Sequence, residues 1–161
     1  MFERFGEFDS ATEINETAVN LRREGDKESL IVLAKENGID EDIVEVFLDG
    51  TLLYLCDDMS AAVGKLNIEA EELKCVELMA DWCEYIKDMC FKEIEFAQAV
   101  RSKKKNLAGC IAEMLKKGFK NQFEISGEIK KAAGVTAGKV TFGCPGMATA
   151  KKIIREYYLG K

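Results

Sequence analysis

Apolar residues recur every three or four positions through most of this chain, and that spacing predicts one amphipathic helix after another. Ser10 opens the stretch SATE, a capping-box pattern in which Glu13 reaches back to the Ser10 amide. The helix behind it carries Ala11, Ile14, Ala18 and Leu21 on one face and stops near Gly25. Asp26 caps a second helix that holds Leu30, Leu33 and Ala34 and ends at Gly38. Asp40 caps a third, with Ile43, Val44 and Phe47, ending at Gly50. From Thr51 the positions Leu52, Leu55, Cys56, Met59, Val63 and Leu66 continue at helical spacing. A long segment from Glu69 to about Cys90 lines up Leu73, Val76, Ala80, Cys83 and Ile86, with acids on its other face. A shorter helix follows over Phe91 to Arg101.

The C-terminal third changes character. Leu107, Cys110, Ile111, Met114 and Leu115 form one apolar helical face. NQFEIS and GKVTFG then look like short strands bracketing a small helix, Gly127 to Ala133. GCPG breaks the chain before a last helix that turns Ala150, Ile153, Ile154, Tyr157 and Tyr158 inward. The expected fold is mainly α, a helical bundle with a small two-stranded β element near the C-terminus.

Composition narrows the class. At 161 residues, 47% apolar and 32% charged, the chain has enough apolar material for a folded core and no disordered bias. No apolar run reaches the roughly 20 residues of a membrane span, and MFERFGEFDS lacks the apolar segment of a signal peptide, so a cytoplasmic protein is expected. The six cysteines include no CxxC pair, and there is no histidine. Zinc sites draw on closely spaced Cys or His pairs, so Cys83 and Cys90 are expected to be reduced core residues, with no metal or cofactor. Cys144, in its Gly/Pro turn, reads as an exposed thiol with no base to activate it. Nucleotide-cradling loops of the GxxxxGK[ST] or GxGxxG type are missing from the sequence. The adjacent acids Asp57 and Asp58, Glu71 and Glu72, and nearby Glu93 and Glu95, point in different directions on a helix and read as solvated. No catalytic residues are expected, and the protein is read as non-enzymatic.

Charge gives the clearest lead. Residues 1–100 hold 25 acids and 9 bases, a net of -16, whereas residues 101–161 hold 4 acids and 14 bases, a net of +10. This division suggests an acidic helical portion over 1–100 and a basic portion over 101–161, as two parts or within one compact domain. RSKKKNLAGCIAEMLKKGFK alone packs seven cations with one acid. Helical phase sends Lys116 and Lys120 outward, just after Lys103, Lys104 and Lys105, while Lys151, Lys152 and Arg155 leave the outer face of the last helix. With Arg101, these nine residues are the candidate binding set. They would serve either docking between the two portions or separate charged partners.

Two stretches resemble helix-turn-helix units. LAKENGIDEDIV has Ala34, Gly38, Ile39 and Val44 in register, but Asp40, Glu41 and Asp42 at the start of its second helix would repel phosphates. EIKKAAGVTAGKV has the right charge and places Gly134, Val135 and Val140 in register. Lys130, however, stands where a small residue is needed, and TFGCPG interrupts the second helix.

KKKNLAGCIAEMLKKG and AKKIIREYYLGK together resemble the PcfK-like proteins of conjugative elements and phages. The correspondence falls on Lys105, Leu107, Cys110 and Leu115, then Ile153, Tyr157 and Tyr158, and covers about the last 60 residues. Some members of that family inhibit type II CRISPR nucleases. The resemblance therefore implies a mobile-element protein that binds such a nuclease, or another nucleic-acid-binding protein, through charged helical surfaces. The alternatives are a DNA-binding accessory or regulatory protein that uses the basic face, and a structural protein–protein adaptor.

Overall fold

The computed structural model describes residues 4–160; Met1, Phe2 and Glu3 of the opening MFERFGEFDS, and Lys161, lie outside the described residues. The chain is mainly α with one two-stranded antiparallel sheet near its C-terminus, as the periodicity predicts. It divides into two compact units, Met1–Ala108 and Gly109–Lys161. No helix among the described residues is long and apolar enough to cross a membrane.

In the first unit, α1 (Ala11–Glu24), α2 (Lys27–Glu36) and α3 (Glu41–Leu48) begin and end where their caps predict. Ser10 Oγ accepts the Glu13 N–H at 3.2 Å. The return bond differs from the expected box, because Glu13 Oε2 reaches one residue further and accepts the Asp9 N–H at 2.8 Å. Gly38 takes φ 66° between α2 and α3, which lets the Ile39 N–H close on the Ala34 carbonyl at 2.9 Å. LAKENGIDEDIV is thus two helices about a tight turn, with Ala34, Ile39 and Val44 buried and the acids at the start of α3 exposed.

Two expectations about the next helices are corrected. The helix expected from Thr51 starts at Asp58 instead, as α4 (Asp58–Glu72). Asn15 on α1 holds the intervening segment extended: its Oδ1 accepts the N–H groups of Leu55 and Cys56 at 2.9 and 3.1 Å, and its Nδ2 donates to the Cys56 carbonyl at 2.8 Å. Asp57 and Ser60 then form a reciprocal capping box that sets the start of α4. The long helix expected from Glu69 to Cys90 is also broken. α4 closes with Lys74 at φ 51° and the Cys75 N–H on the Ala70 carbonyl, and α5 (Leu78–Lys92) starts after Glu77 at φ 50°. Leu73 and Val76 accordingly lie exposed instead of joining the Ala80, Cys83 and Ile86 stripe. α6 runs Ile94–Arg101, because Phe91 and Lys92 finish α5.

Ile14, Leu30, Leu33, Val44, Phe47 and Leu55 belong to one buried apolar cluster. Leu66, Cys83, Ile86, Cys90, Phe96 and Val100 are buried along α4, α5 and α6, with α4 packed against both of the others. At Gly64 the backbone of α4 meets the α2–α3 turn directly. A Cβ there would lie inside contact distance of the Asn37 carbonyl oxygen and 3.0 Å from that of Gly38. Backbone on backbone leaves no flexible side chain to give way. Gly64→Ala is expected to lose about 2–3 kcal/mol in urea unfolding, with no comparable loss for Gly127→Ala, where a Cβ meets open space.

The same unit buries two cations. Lys65 Nζ donates to the carbonyls of Ser102 and Lys105, both at 2.8 Å, and pairs with Glu7 at 2.9 Å and Glu69 at 3.9 Å. Arg101 reaches Asn37 Oδ1 at 2.8 Å and the Ala61 carbonyl at 3.4 Å. Burial pulls the Arg101 pKa down, opposed by nearby carboxylates led by Glu7. Burial likewise pushes Glu69 up, against the Leu107 N–H that it accepts at 2.8 Å and the Lys65 ammonium.

In the second unit, α7 (Leu107–Lys120), which begins on the last two residues of the first, leads to β1 (Phe123–Glu124), α8 (Gly127–Ala132), β2 (Thr141–Phe142) and α9 (Met147–Leu159). Cys110 and Met114 of α7 and Ala150, Ile154 and Tyr158 of α9 are buried, while Ile153 and Tyr157 are half-buried. Leu115, expected on the apolar face of α7, is 61% exposed. It lies a full helical step off the Leu107–Cys110–Met114 line, where no packing partner covers it.

Candidate nucleic-acid interface

The helical phase of α7 places Lys116 and Lys120 one turn apart on its exposed side. On α9, Lys151 and Arg155 stand one turn apart along the flank of the buried Ala150–Ile154–Tyr158 line, Lys152 lies opposite that line, and all three are exposed. Lys116 pairs with Glu113 at 2.6 Å across a solvent-exposed turn, a contact that leaves its charge at the surface. The second unit as a whole carries ten bases against four acids, a net of +6.

The remaining candidates belong to the first unit. Lys103 and Lys104 are exposed, and Lys105 is half-buried. The Lys103 N–H and the Ser102 hydroxyl both donate to Asp9, at 2.8 and 3.1 Å. Those two bonds, the Lys103 amide first, hold the Asp9 carboxyl below its usual pKa. Arg101 stands apart from the rest of the set. At 2% exposure it lies in the interior, fastened to Asn37, and presents no charge to a partner.

Residues outside that set complete the surface. Lys117, Lys131 and Lys139 are exposed as well, and Lys130 Nζ donates to the Gly138 carbonyl at 2.8 Å, fixing the loop between α8 and β2. β1 and β2 pair antiparallel with Phe123 opposite Phe142. The Ile125 N–H extends that ladder to the Val140 carbonyl at 2.9 Å, and Thr141 Oγ1 meets Gln122 Oε1 at 3.1 Å. Gly118 of α7 and Gly143 after β2 bring backbone against backbone, which seats this hairpin on the end of α7. Both strands are legible in the sequence, but a role for their aromatic rings is not. The available signal was a lone phenylalanine in each strand, set among polar neighbours, with lysines three residues away.

EIKKAAGVTAGKV does not form a second helix after α8; its last residues lead into β2. Many acids of the first unit lie at the surface, among them Asp40, Glu41 and Asp42 at the start of α3, and Glu71, Glu72, Glu77, Asp81, Glu84 and Asp88 around α4 and α5. Cys83 and Cys90 are buried thiols and Cys144 is exposed. Among the described residues, no group of three Cys, Asp or Glu side chains is placed to hold a metal ion. Compared with family models, curated proteins and solved structures, the chain matches none.

Proposed function

We propose that the protein is a non-enzymatic binding protein whose C-terminal basic face engages DNA, in the manner of an accessory or regulatory protein. The observation that carries this is the net +6 second unit, whose lysines and arginine on α7 and α9 face solvent while Cys110, Met114, Ala150, Ile154 and Tyr158 are buried. Cations displayed in this way bind phosphates largely through counterion release. Binding to a labelled duplex is expected to fall steeply between low and moderate salt. Lys120→Ala and Lys152→Ala are each expected to flatten the log–log salt slope by about 0.9. Failure to retain DNA at low salt counts against the proposal.

A second proposal is inhibition of a CRISPR nuclease, as the PcfK-like resemblance implies. It is favoured by the first unit, where 25 acids outnumber 13 bases and many of the acids lie exposed. Such nucleases hold nucleic acid in positively charged channels, which an acidic helical surface could occupy. A cleavage assay with a type II nuclease tests this, using a variant that carries Asp40→Asn, Glu41→Gln and Asp42→Asn. Inhibition that survives the neutralisation undamaged would argue against the acidic surface as the contact.

A further inference from the structure

The hairpin of the second unit displays its aromatic rings outward. Phe123 and Phe142 are direct partners in the antiparallel ladder, so both side chains leave the same face of the sheet. Their ring centroids are 6.3 Å apart and the rings tilt by 41°. The two residues nevertheless remain 58% and 60% exposed. Phe119 at the end of α7 and Ile129 on α8 are exposed as well.

Cations flank this pair. Lys120 precedes Phe123 by three residues and Lys139 precedes Phe142 by three, so each Cα lies within about 11 Å of a ring-bearing Cα. Lys120 closes α7 just ahead of β1, and Lys139 stands in the loop that enters β2. Both lysines are exposed.

We propose that this hairpin is a stacking platform for single-stranded nucleic acid, with successive bases on Phe123 and Phe142 and the flanking phosphates toward Lys120 and Lys139. The proposal rests on the nucleic-acid function above and specifies its substrate class. Unpaired bases offer open π-faces to aromatic side chains, whereas those of a duplex are already stacked on each other. Charge selects the occupant too. Ring-to-ring pairing of two copies would set two net +6 units against each other, while a phosphate chain is drawn to such a unit.

Fluorescence anisotropy on the full chain tests this, using labelled oligothymidylate and oligouridylate of about 15 nucleotides and a hairpin duplex of equal length. The single strands are expected to bind more tightly than the duplex, and the two homopolymers separate DNA from RNA as the source. Phe123→Ala and Phe142→Ala are each expected to weaken single-strand binding about five- to a hundredfold, with the salt slope unchanged and Phe142→Tyr retaining affinity. Wild-type affinity in Phe142→Leu would overturn stacking in favour of a general apolar contact. Equal affinity for strand and duplex, with both alanine variants neutral, overturns the platform and leaves the DNA-binding proposal standing. If no oligonucleotide is retained, both fall. A dimer in light scattering that Phe142→Ala dissolves would place a second copy on the rings and overturn the platform.

Discussion

Raising the pH from 9 to 10.5 is expected to remove about 5 kcal/mol of stability. Burial pushes the thiols of Cys56 and Cys90 up to about 12 and that of Cys83 to about 11, from an ordinary value of 9.0. For Cys56 the Arg101 charge opposes the shift without cancelling it. In the folded state Cys56 and Cys90 keep their protons through this pH range and Cys83 keeps most of its own, while the unfolded chain loses them above about 9. Stability is therefore complete below pH 9 and declines as pH rises toward the folded values. Each thiol contributes about 1.4 kcal/mol per pH unit, so three give a slope near 4 kcal/mol per unit. That rivals the whole stability of an ordinary domain, about 5–15 kcal/mol. Urea unfolding with reductant, followed by far-UV circular dichroism at pH 8 to 10.5, measures the slope. Cys83→Ala should flatten it by about a third whatever it does to stability at neutral pH. A level profile across this range would show that the buried thiols ionise freely.

Lys65→Met is expected to cost about 3–5 kcal/mol, because it removes one centre from a buried set of charges and carbonyls. The ammonium has three protons, and the Ser102 carbonyl, the Lys105 carbonyl and Glu7 take them. Methionine fills the volume but leaves two backbone acceptors and a half-buried carboxylate without their donor. The urea midpoint should move down by about 2 M at an m-value near 2 kcal/mol/M. Glu7→Gln keeps a hydrogen-bonding group in place and should cost about 1 kcal/mol. If Lys65→Met stays within 1 kcal/mol of the wild type, water serves those carbonyls as well as the ammonium does.

Local chemistry made most of the fold legible. Ser10, Asp26 and Asp40 at helix starts, and Gly25 and Gly38 past helix ends, announce α1 to α3 without reference to anything distant. The missed boundaries have distant or atypical causes. Nothing near Leu55 signals that Asn15, 40 residues earlier, takes its amide. The break after α4 uses Lys74 and Glu77 at positive φ, a conformation usually announced by glycine or asparagine. Candidate cations followed the same divide. Helical phase sufficed for Lys116, Lys120, Lys151, Lys152 and Arg155, but the burial of Arg101 depends on Asn37, 64 positions away. Exposure of the Phe123–Phe142 pair was not legible either, because an aromatic residue in a short strand ordinarily turns inward.

The segment ahead of α1 is secured through side chains belonging to other elements. The Arg4 and Phe5 amides both donate to the buried Glu36 carboxylate, at 2.7 and 3.1 Å, and Glu7 meets Lys65. Deuterium uptake should therefore not follow the helix boundaries. Amides at Arg4, Phe5, Leu55 and Cys56, which belong to no helix or strand, will exchange on the timescale of the core helices, and slow exchange there will report on Glu36 and Asn15.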